Sequence, residues 1–147
     1  MNVMLLSAEQ RTSAIAEVLL SKAFDGLDRK ALLASALERE SLSSTEVGHS
    51  VALAHAKLRS IRKVHAALGI KPEGLLYPDG RRVTFLFVIA TSYADSLLYM
   101  EFLRKVLVFM HDDLFDKELL DWALDQDKPQ SPRLKAFLKV LAFYEKA

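Results

Sequence analysis

The stretch from Arg82 to Ala90 reads RVTFLFVIA and is the strongest strand candidate in the chain. Its apolar run is nearly continuous and rich in β-branched and aromatic residues, which favour extended backbone. Such a run is typical of a strand that is covered on both faces. Two shorter strands are predicted before it, at Val51–Ala54 and Val64–Ile70. The middle of the chain therefore predicts a buried central sheet.

Amphipathic helices are predicted on both sides of these strands in the sequence. Apolar residues recur in them at helical spacing, and capping or turn residues mark several of their ends. The five predicted helices are Ala8–Phe24, Arg29–Leu42, Ser96–Met110, Leu114–Asp125 and Arg133–Lys146. This order predicts an α/β fold with one central sheet flanked by helices. We assign residues 1–128 to this domain and residues 129–147 to a C-terminal helical extension.

The composition excludes several classes of function. The formal net charge is +1, so neither nucleic acid nor an anionic membrane is an expected partner. The chain has no cysteine, which removes disulfides, thiol catalysis and cysteine-ligated zinc. Its longest apolar run is far shorter than the roughly 20 residues that span a bilayer, and the N-terminus lacks the features of a signal peptide. We therefore expect a cytoplasmic protein without membrane insertion.

Four histidines are the obvious candidates for chemistry at neutral pH, because the ordinary pKa of imidazole lies close to 7. His65 falls within a predicted strand, His111 at a helix C-terminus and His49 in a polar loop, and each position has a structural explanation. His55 differs because it follows a short apolar strand, and strand ends lie at the rim of a sheet, where clefts form. No pair has the spacing of a metal site on a helix, so we expect neither a metal nor a cofactor.

Polar residues on either side of His55 suggest a phosphate site. Arg39 ends the second predicted helix, Ser44 and Thr45 follow it, and Lys57 lies just after the histidine. If the helix end and the strand end meet, a guanidinium that binds phosphate oxygens comes close to an imidazole that can attack phosphorus. Alternatively, Arg39 is an ordinary surface arginine at a helix end.

The same segment resembles the signature of a known family. The residues are LERE at 37–40, the Ser44-Thr45 pair, Gly48 and VALAHAK at 51–57. Their order and spacing are similar to those of the phosphotransferase-system enzyme IIA domain of the fructose, mannitol and nitrogen-regulatory type. The resemblance continues through residues 64–69, 79–90 and 114–127 and covers roughly residues 7–128.

This resemblance implies an α/β sandwich with a mixed central sheet of about five strands. It also implies that His55 accepts a phosphoryl group from the phosphocarrier protein HPr, with Arg39 stabilising the phosphate. From their positions around His55, Ser44, Thr45 and Lys57 are further candidate phosphate-binding residues. The partner downstream would be a IIB domain or a regulated protein. The stretch from His55 to Leu58 is slightly more similar to the nitrogen-regulatory branch, which favours regulation.

Three positions depart from the family pattern. The central strand ends in Ala90-Thr91-Ser92, where a proline is common in the family. Ala54 stands where a proline usually precedes the acceptor histidine. The family's second histidine, at the start of the helix after the central strand, is absent, and our alignment puts Tyr99 in its place. A phenol can hydrogen-bond to an imidazole or a phosphate but carries no positive charge. Two further hypotheses therefore stay open: a IIA-like binding module that is not phosphorylated, and an unrelated α/β interaction protein that docks through its C-terminal helix.

Overall fold

The computed structural model describes residues 2–42, 50–78, 80–93 and 96–146. One short strand and two helices precede the three longer strands, and three helices follow them. In chain order the elements are β1 (Val3–Leu5), α1 (Arg11–Val18), a 3-10 turn (Lys22–Phe24), α2 (Arg29–Leu42), β2 (Val51–Lys57), β3 (His65–Leu76), β4 (Arg82–Thr91), α3 (Ser96–Met110), α4 (Asp113–Leu124) and α5 (Pro132–Lys146).

The strands form one mixed sheet in the order β1-β3-β4-β2. The outer strands β1 and β2 run parallel to their neighbours, whereas β3 and β4 are antiparallel. The predicted α/β fold with a mixed sheet is confirmed, with four strands among the described residues instead of about five. β3 continues past the predicted stop at Lys71-Pro72 through an irregularity after Ile70, and it pairs with β4 again at Leu75.

Both faces of β4 are covered, as its continuous apolar run predicts. Phe85, Phe87 and Ile89 face a core formed with α3, α4 and α5. Leu86 and Val88, on the opposite face, join a second core formed with α1 and α2. Successive side chains of a strand point to opposite faces, so a strand between two cores must be apolar at almost every position.

The first helix is shorter than the sequence predicts. The carboxylate of Glu17 accepts hydrogen bonds from the backbone N–H groups of Ser7 and Ala8, at 3.0 and 2.9 Å. These residues therefore stay outside the helix, which begins at Arg11. At its other end the extended backbone of Ser21 separates α1 from the 3-10 turn, and the Ser21 hydroxyl accepts a hydrogen bond from the N–H of Ala23.

The last helix packs on its own chain. The Ser131 hydroxyl caps its start by accepting a hydrogen bond from the N–H of Leu134 at 3.1 Å, and Pro132 occupies the first helical position. Leu134, Phe137 and Leu141 are fully buried in the core that they share with α3 and α4. The domain division after residue 128 stays a prediction. Across the described ranges, no helix is both long and apolar enough to cross a membrane.

Candidate active site

His55 lies inside a strand and not in a loop at the strand's end. The sequence predicted a strand that stops at Ala54, but β2 continues to Lys57, and His55 pairs in register with Ile89 of β4. The strand continues because Ala56 is as apolar as the residues before it and is buried beside β4. As a result only 4% of His55 is exposed.

A hydroxyl at the end of β4 fixes one edge of the imidazole. The Nε2 atom of His55 and the Oγ1 atom of Thr91 are hydrogen-bonded at 2.7 Å, and both residues are buried. Sequence reasoning noted Thr91 only within the stretch where the family commonly has a proline, and missed it as a site residue. The available signal was its position, because it is the first polar side chain after the apolar run of the central strand.

The ring of Tyr99 covers the face of the imidazole. The two ring centroids are 3.7 Å apart and the ring planes are inclined by 17°, so the rings are stacked. Tyr99 belongs to the first turn of α3, which begins at Ser96. Burial raises the pKa of the Tyr99 phenol, and the positive charge of Arg39 opposes that rise. The alignment that put Tyr99 in place of the family's second histidine thus selected a residue in direct contact with His55.

The charges of Arg39 and Lys57 act on the same imidazole. Burial, followed by Arg39 and then Lys57, lowers the pKa of His55 from 6.5 to about 3. α2 lies along β2, where the backbone N–H of Lys57 donates to the Ser35 hydroxyl at 2.9 Å. Arg39, an exposed residue near the C-terminal end of α2, lies close enough to His55 for its charge to act on the imidazole. The role of Arg39 and His55 as a joint phosphate site stays a prediction.

The other predicted positions lie apart from this group or outside the described residues. Ser44, Thr45 and His49 fall in the range that the structure does not describe. His65 is half-buried and its Nδ1 atom is hydrogen-bonded to the carbonyl of Ala23 at 2.8 Å, which agrees with its interpretation as a packed strand residue. His111 is exposed just after α3. In the part of the chain that is described, no group of three or more histidine, aspartate or glutamate side chains could hold a metal ion.

The chemistry open to His55 follows from this environment. With a pKa of about 3 the ring is neutral at physiological pH, so one of its nitrogens keeps a lone pair that can act as a nucleophile. Its Nδ1 atom is buried and has no hydrogen-bond partner among the described residues. The imidazole is thus neutral and within the electrostatic reach of two cations, and it is shielded from solvent.

Solved structures with the same fold include IIA components of phosphotransferase systems. The nitrogen regulatory protein IIA-Ntr from Neisseria meningitidis matches with a TM-score of 0.70 and 18% identity, over 94% of this chain and 91% of that one. IIA mannitol from Escherichia coli matches with a TM-score of 0.60 and 19% identity, over 95% of both chains. At these identities the likeness concerns the fold.

The sequence identifies the family. The model of EIIA type 2, of the phosphoenolpyruvate-dependent sugar phosphotransferase system, matches residues 2–128, and the chain belongs to this family. A fructose-specific EIIABC component from Bacillus subtilis is 29% identical over 120 residues, which are 79% of this chain and 19% of that protein. A fructose-specific EIIA component from Haloferax volcanii is 33% identical over 97 residues, which are 63% of this chain and 62% of that protein. The chain thus spans less than two thirds of the length of either relative.

Proposed function

We propose that this protein is a cytoplasmic phosphocarrier in which His55 accepts a phosphoryl group from an HPr-like donor and presents it to a partner protein. The observation that carries the proposal is the neutral imidazole of His55 held within the electrostatic reach of Arg39 and Lys57. Membership of the EIIA type 2 family supports the same reaction class. In this proposal Arg39 and Lys57 stabilise the phosphate, and Ser44 and Thr45 stay candidates for the same role.

The reaction needs positioning more than acid–base chemistry. The lone pair of His55 forms a new N–P bond while the N–P bond of the donor breaks, and the electron pair of the broken bond returns to the donor nitrogen. Charge is spread over the equatorial phosphoryl oxygens in such a transfer, so fixed cations lower the barrier. The charges of Arg39 and Lys57 are suited to this role because they already act on the ring that would attack.

Transfer also requires the site to open. His55 is 4% exposed, its Nε2 atom is engaged by Thr91 and its ring face is covered by Tyr99. The turn of α3 that carries Tyr99 also displays Leu97 and Met100 to solvent, with 84% and 56% of each residue exposed. Exposed apolar side chains beside a site suit contact with a partner protein. We infer that docking on this turn displaces Tyr99 and uncovers the imidazole.

The relatives suggest two kinds of partner protein that could receive the phosphoryl group or respond to it. A solved complex pairs the Escherichia coli IIA mannitol enzyme with phosphorylated IIB mannitol, and IIA-Ntr is a nitrogen regulatory protein. A IIB domain and a regulated protein are therefore the receivers to test. Phosphorylation adds about −1.5 to −2 charges at neutral pH, so a negative charge replaces a neutral imidazole next to Arg39 and Lys57. Partners should consequently distinguish the two forms of the protein, and equal affinity for both would contradict a signalling role.

The decisive experiment is labelling with phosphoenolpyruvate, enzyme I and HPr. We expect an acid-labile phosphoprotein, no label in His55→Ala, and normal label in the matched surface variant His111→Ala. Arg39→Gln should be labelled more slowly than the wild type. Undiminished label in His55→Ala would refute the assignment of the acceptor. Absence of label in the folded wild-type protein would favour the second candidate function, a binding module that is not phosphorylated, for which the burial of His55 is the supporting observation.

A further inference from the structure

A cavity of about 740 Å³ lies at the end of the sheet opposite His55. Its walls come from the start of α1, the end of β3 and the start of β4, where Arg82 lines it. His55 is hydrogen-bonded to Thr91 at the other end of β4. The strand rises about 3.3 Å per residue, so the nine steps from Arg82 to Thr91 separate the two places by roughly 30 Å. The cavity is therefore distinct from the candidate active site.

A buried lysine faces this cavity. Lys71 is only 5% exposed, and burying an ammonium group is costly unless it has partners. Its Nζ atom donates to the Ser7 carbonyl at 3.1 Å and lies 3.0 Å from a carboxylate oxygen of Glu73. An ammonium group has three N–H donors, and the two described partners account for two of them. The Glu73 side chain is 67% exposed and can be displaced by another anion.

An arginine is held against the same cavity by a close backbone approach. Gly74 has a φ of +85°, and a Cβ atom built on it would lie 2.6 Å from the Cβ of Arg82. Only glycine fits there, and the contact lets an Nη1 atom of Arg82 donate to the Gly74 carbonyl at 3.3 Å. One side of the guanidinium is thereby anchored, while the rest of the fork is in position to bind a carboxylate or phosphate.

The opposite wall combines a further cation with an aromatic ring. The guanidinium of Arg11 lies over the ring of Tyr77, 5.4 Å from its centroid. Arg11 also begins α1, whose N-terminal turn receives no side-chain cap from the described residues, and the N-terminus of a helix favours negative charge. Among the lining residues that the structure describes, three are cations, Arg11, Lys71 and Arg82, and two are carboxylates, Glu9 and Glu73.

We propose that this cavity binds a small organic anion whose phosphate or carboxylate group contacts Lys71 and Arg82 and whose apolar or aromatic body lies towards Tyr77. The volume falls within the range of about 300–1,000 Å³ that is usual for small-molecule sites. A ligand here leaves His55 untouched, so the site can be occupied whether or not the protein is phosphorylated. The proposal goes beyond the phosphocarrier function and does not depend on it.

The test is an NMR titration of the full chain with phenyl phosphate and benzoate, with phenol as the uncharged control. Phenyl phosphate or benzoate should shift the backbone amides of residues 71–77 and 9–12, and phenol should not. The anion that binds more tightly identifies the preferred group, phosphate or carboxylate. Arg82→Gln should weaken binding about tenfold, as the loss of one charge-assisted hydrogen bond implies. Arg81→Gln removes the same charge one residue away, outside the lining, and should leave binding unchanged.

Three outcomes would overturn the proposal. The first is the absence of shifts in these amides at millimolar concentrations of either anion. The second is equal weakening by Arg81→Gln and Arg82→Gln, which would indicate a general attraction of anions. The third is a set of shifts confined to residues near His55 and Arg39, which would indicate the candidate phosphoryl site. The labelling of His55 is measured separately, so failure of one proposal does not entail failure of the other.

Discussion

The ring of Tyr99 lies nearly flat on the ring of His55, with 3.7 Å between centroids and 17° between planes. At this distance no water fits between the rings, and the Thr91 hydroxyl closes one edge of the imidazole. The burial that results is the first cause of the low pKa of His55, ahead of the charges of Arg39 and Lys57. The tyrosine therefore controls both access to the imidazole and its protonation.

Removing this cover should raise the pKa of His55. In Tyr99→Ala water reaches the ring face, and we expect the pKa to rise from about 3 towards 6.5, by more than about one unit, because desolvation is its main cause. NMR titration of the His55 ring protons measures the change. Tyr99→Phe keeps the stacked ring and should keep the low pKa. A pKa that stays low in Tyr99→Ala would mean that the charges of Arg39 and Lys57, and not burial, dominate.

Thr91→Val should release the imidazole from its fixed hydrogen bond. Valine has nearly the shape of threonine, but Nε2 of His55 then loses the partner that lies at 2.7 Å, and leaving a buried polar group unpaired costs about 1–3 kcal/mol. We expect that loss in urea unfolding. The ¹⁵N shifts of the two ring nitrogens should also move towards an average of the tautomers. Thr91→Ser keeps the hydroxyl and should keep the wild-type ¹⁵N pattern, and an unchanged pattern in Thr91→Val would contradict the role of Thr91.

The layered fold was predictable because its strongest signals are local. The apolar run of β4 requires cover on both faces, and the bounds of α2 and α3 agree with the periodicity and capping residues. The first helix was predicted too long, because the bonds from Ser7 and Ala8 to Glu17 depend on the folded chain and leave no local pattern. The continuation of β3 past Pro72 was missed for a similar reason, since it depends on pairing with β4.

The candidate site was predicted in part. His55, Arg39 and Tyr99 were selected from a family pattern and from an alignment, and the structure brings them into one environment. Thr91 was missed because its contact with His55 depends on the parallel register of β2 and β4, which sequence spacing does not reveal. The burial of His55 was missed as well, because β2 was expected to stop before it.

The free energy of unfolding should decrease as the pH falls, because His55 is buried and neutral in the folded protein. The unfolded chain binds a proton on His55 below about pH 6.5, whereas the folded protein binds it only near pH 3. The contribution of His55 to stability is therefore fully present above pH 6.5 and is lost progressively as the pH falls towards 3. The slope is about 1.4 kcal/mol per pH unit. Between pH 7 and 5 the wild type should lose roughly 2 kcal/mol more than His55→Gln.

The comparison with His55→Gln is needed because other groups titrate in the same window. Burial lowers the pKa of His65, so His65 also makes the protein less stable as the pH falls. Burial and the neighbouring Asp113 and Asp112 raise the pKa of Asp116 to about 7. Asp116 therefore has the opposite effect and makes the protein more stable as the pH falls. Both effects are common to the wild type and the variant and cancel in the difference. Urea unfolding at pH 7, 6 and 5 gives the curves, and parallel curves for the two proteins would contradict the buried neutral histidine.

Phe137→Ala should show that α5 is an integral part of the fold. The ring of Phe137 is fully buried and packs against those of Phe109 and Phe115, with centroids 5.4 and 5.2 Å away. Truncating such a residue costs about 3–5 kcal/mol, through lost burial and the cavity left behind. Lys135→Ala changes an exposed residue of the same helix and should alter the free energy of unfolding by less than about 0.5 kcal/mol. Urea unfolding measures both variants. Equal, small effects of the two substitutions on the free energy of unfolding would mean that α5 contributes little to the stability of the domain. The core formed by β4, α3 and α4 would then be stable without it.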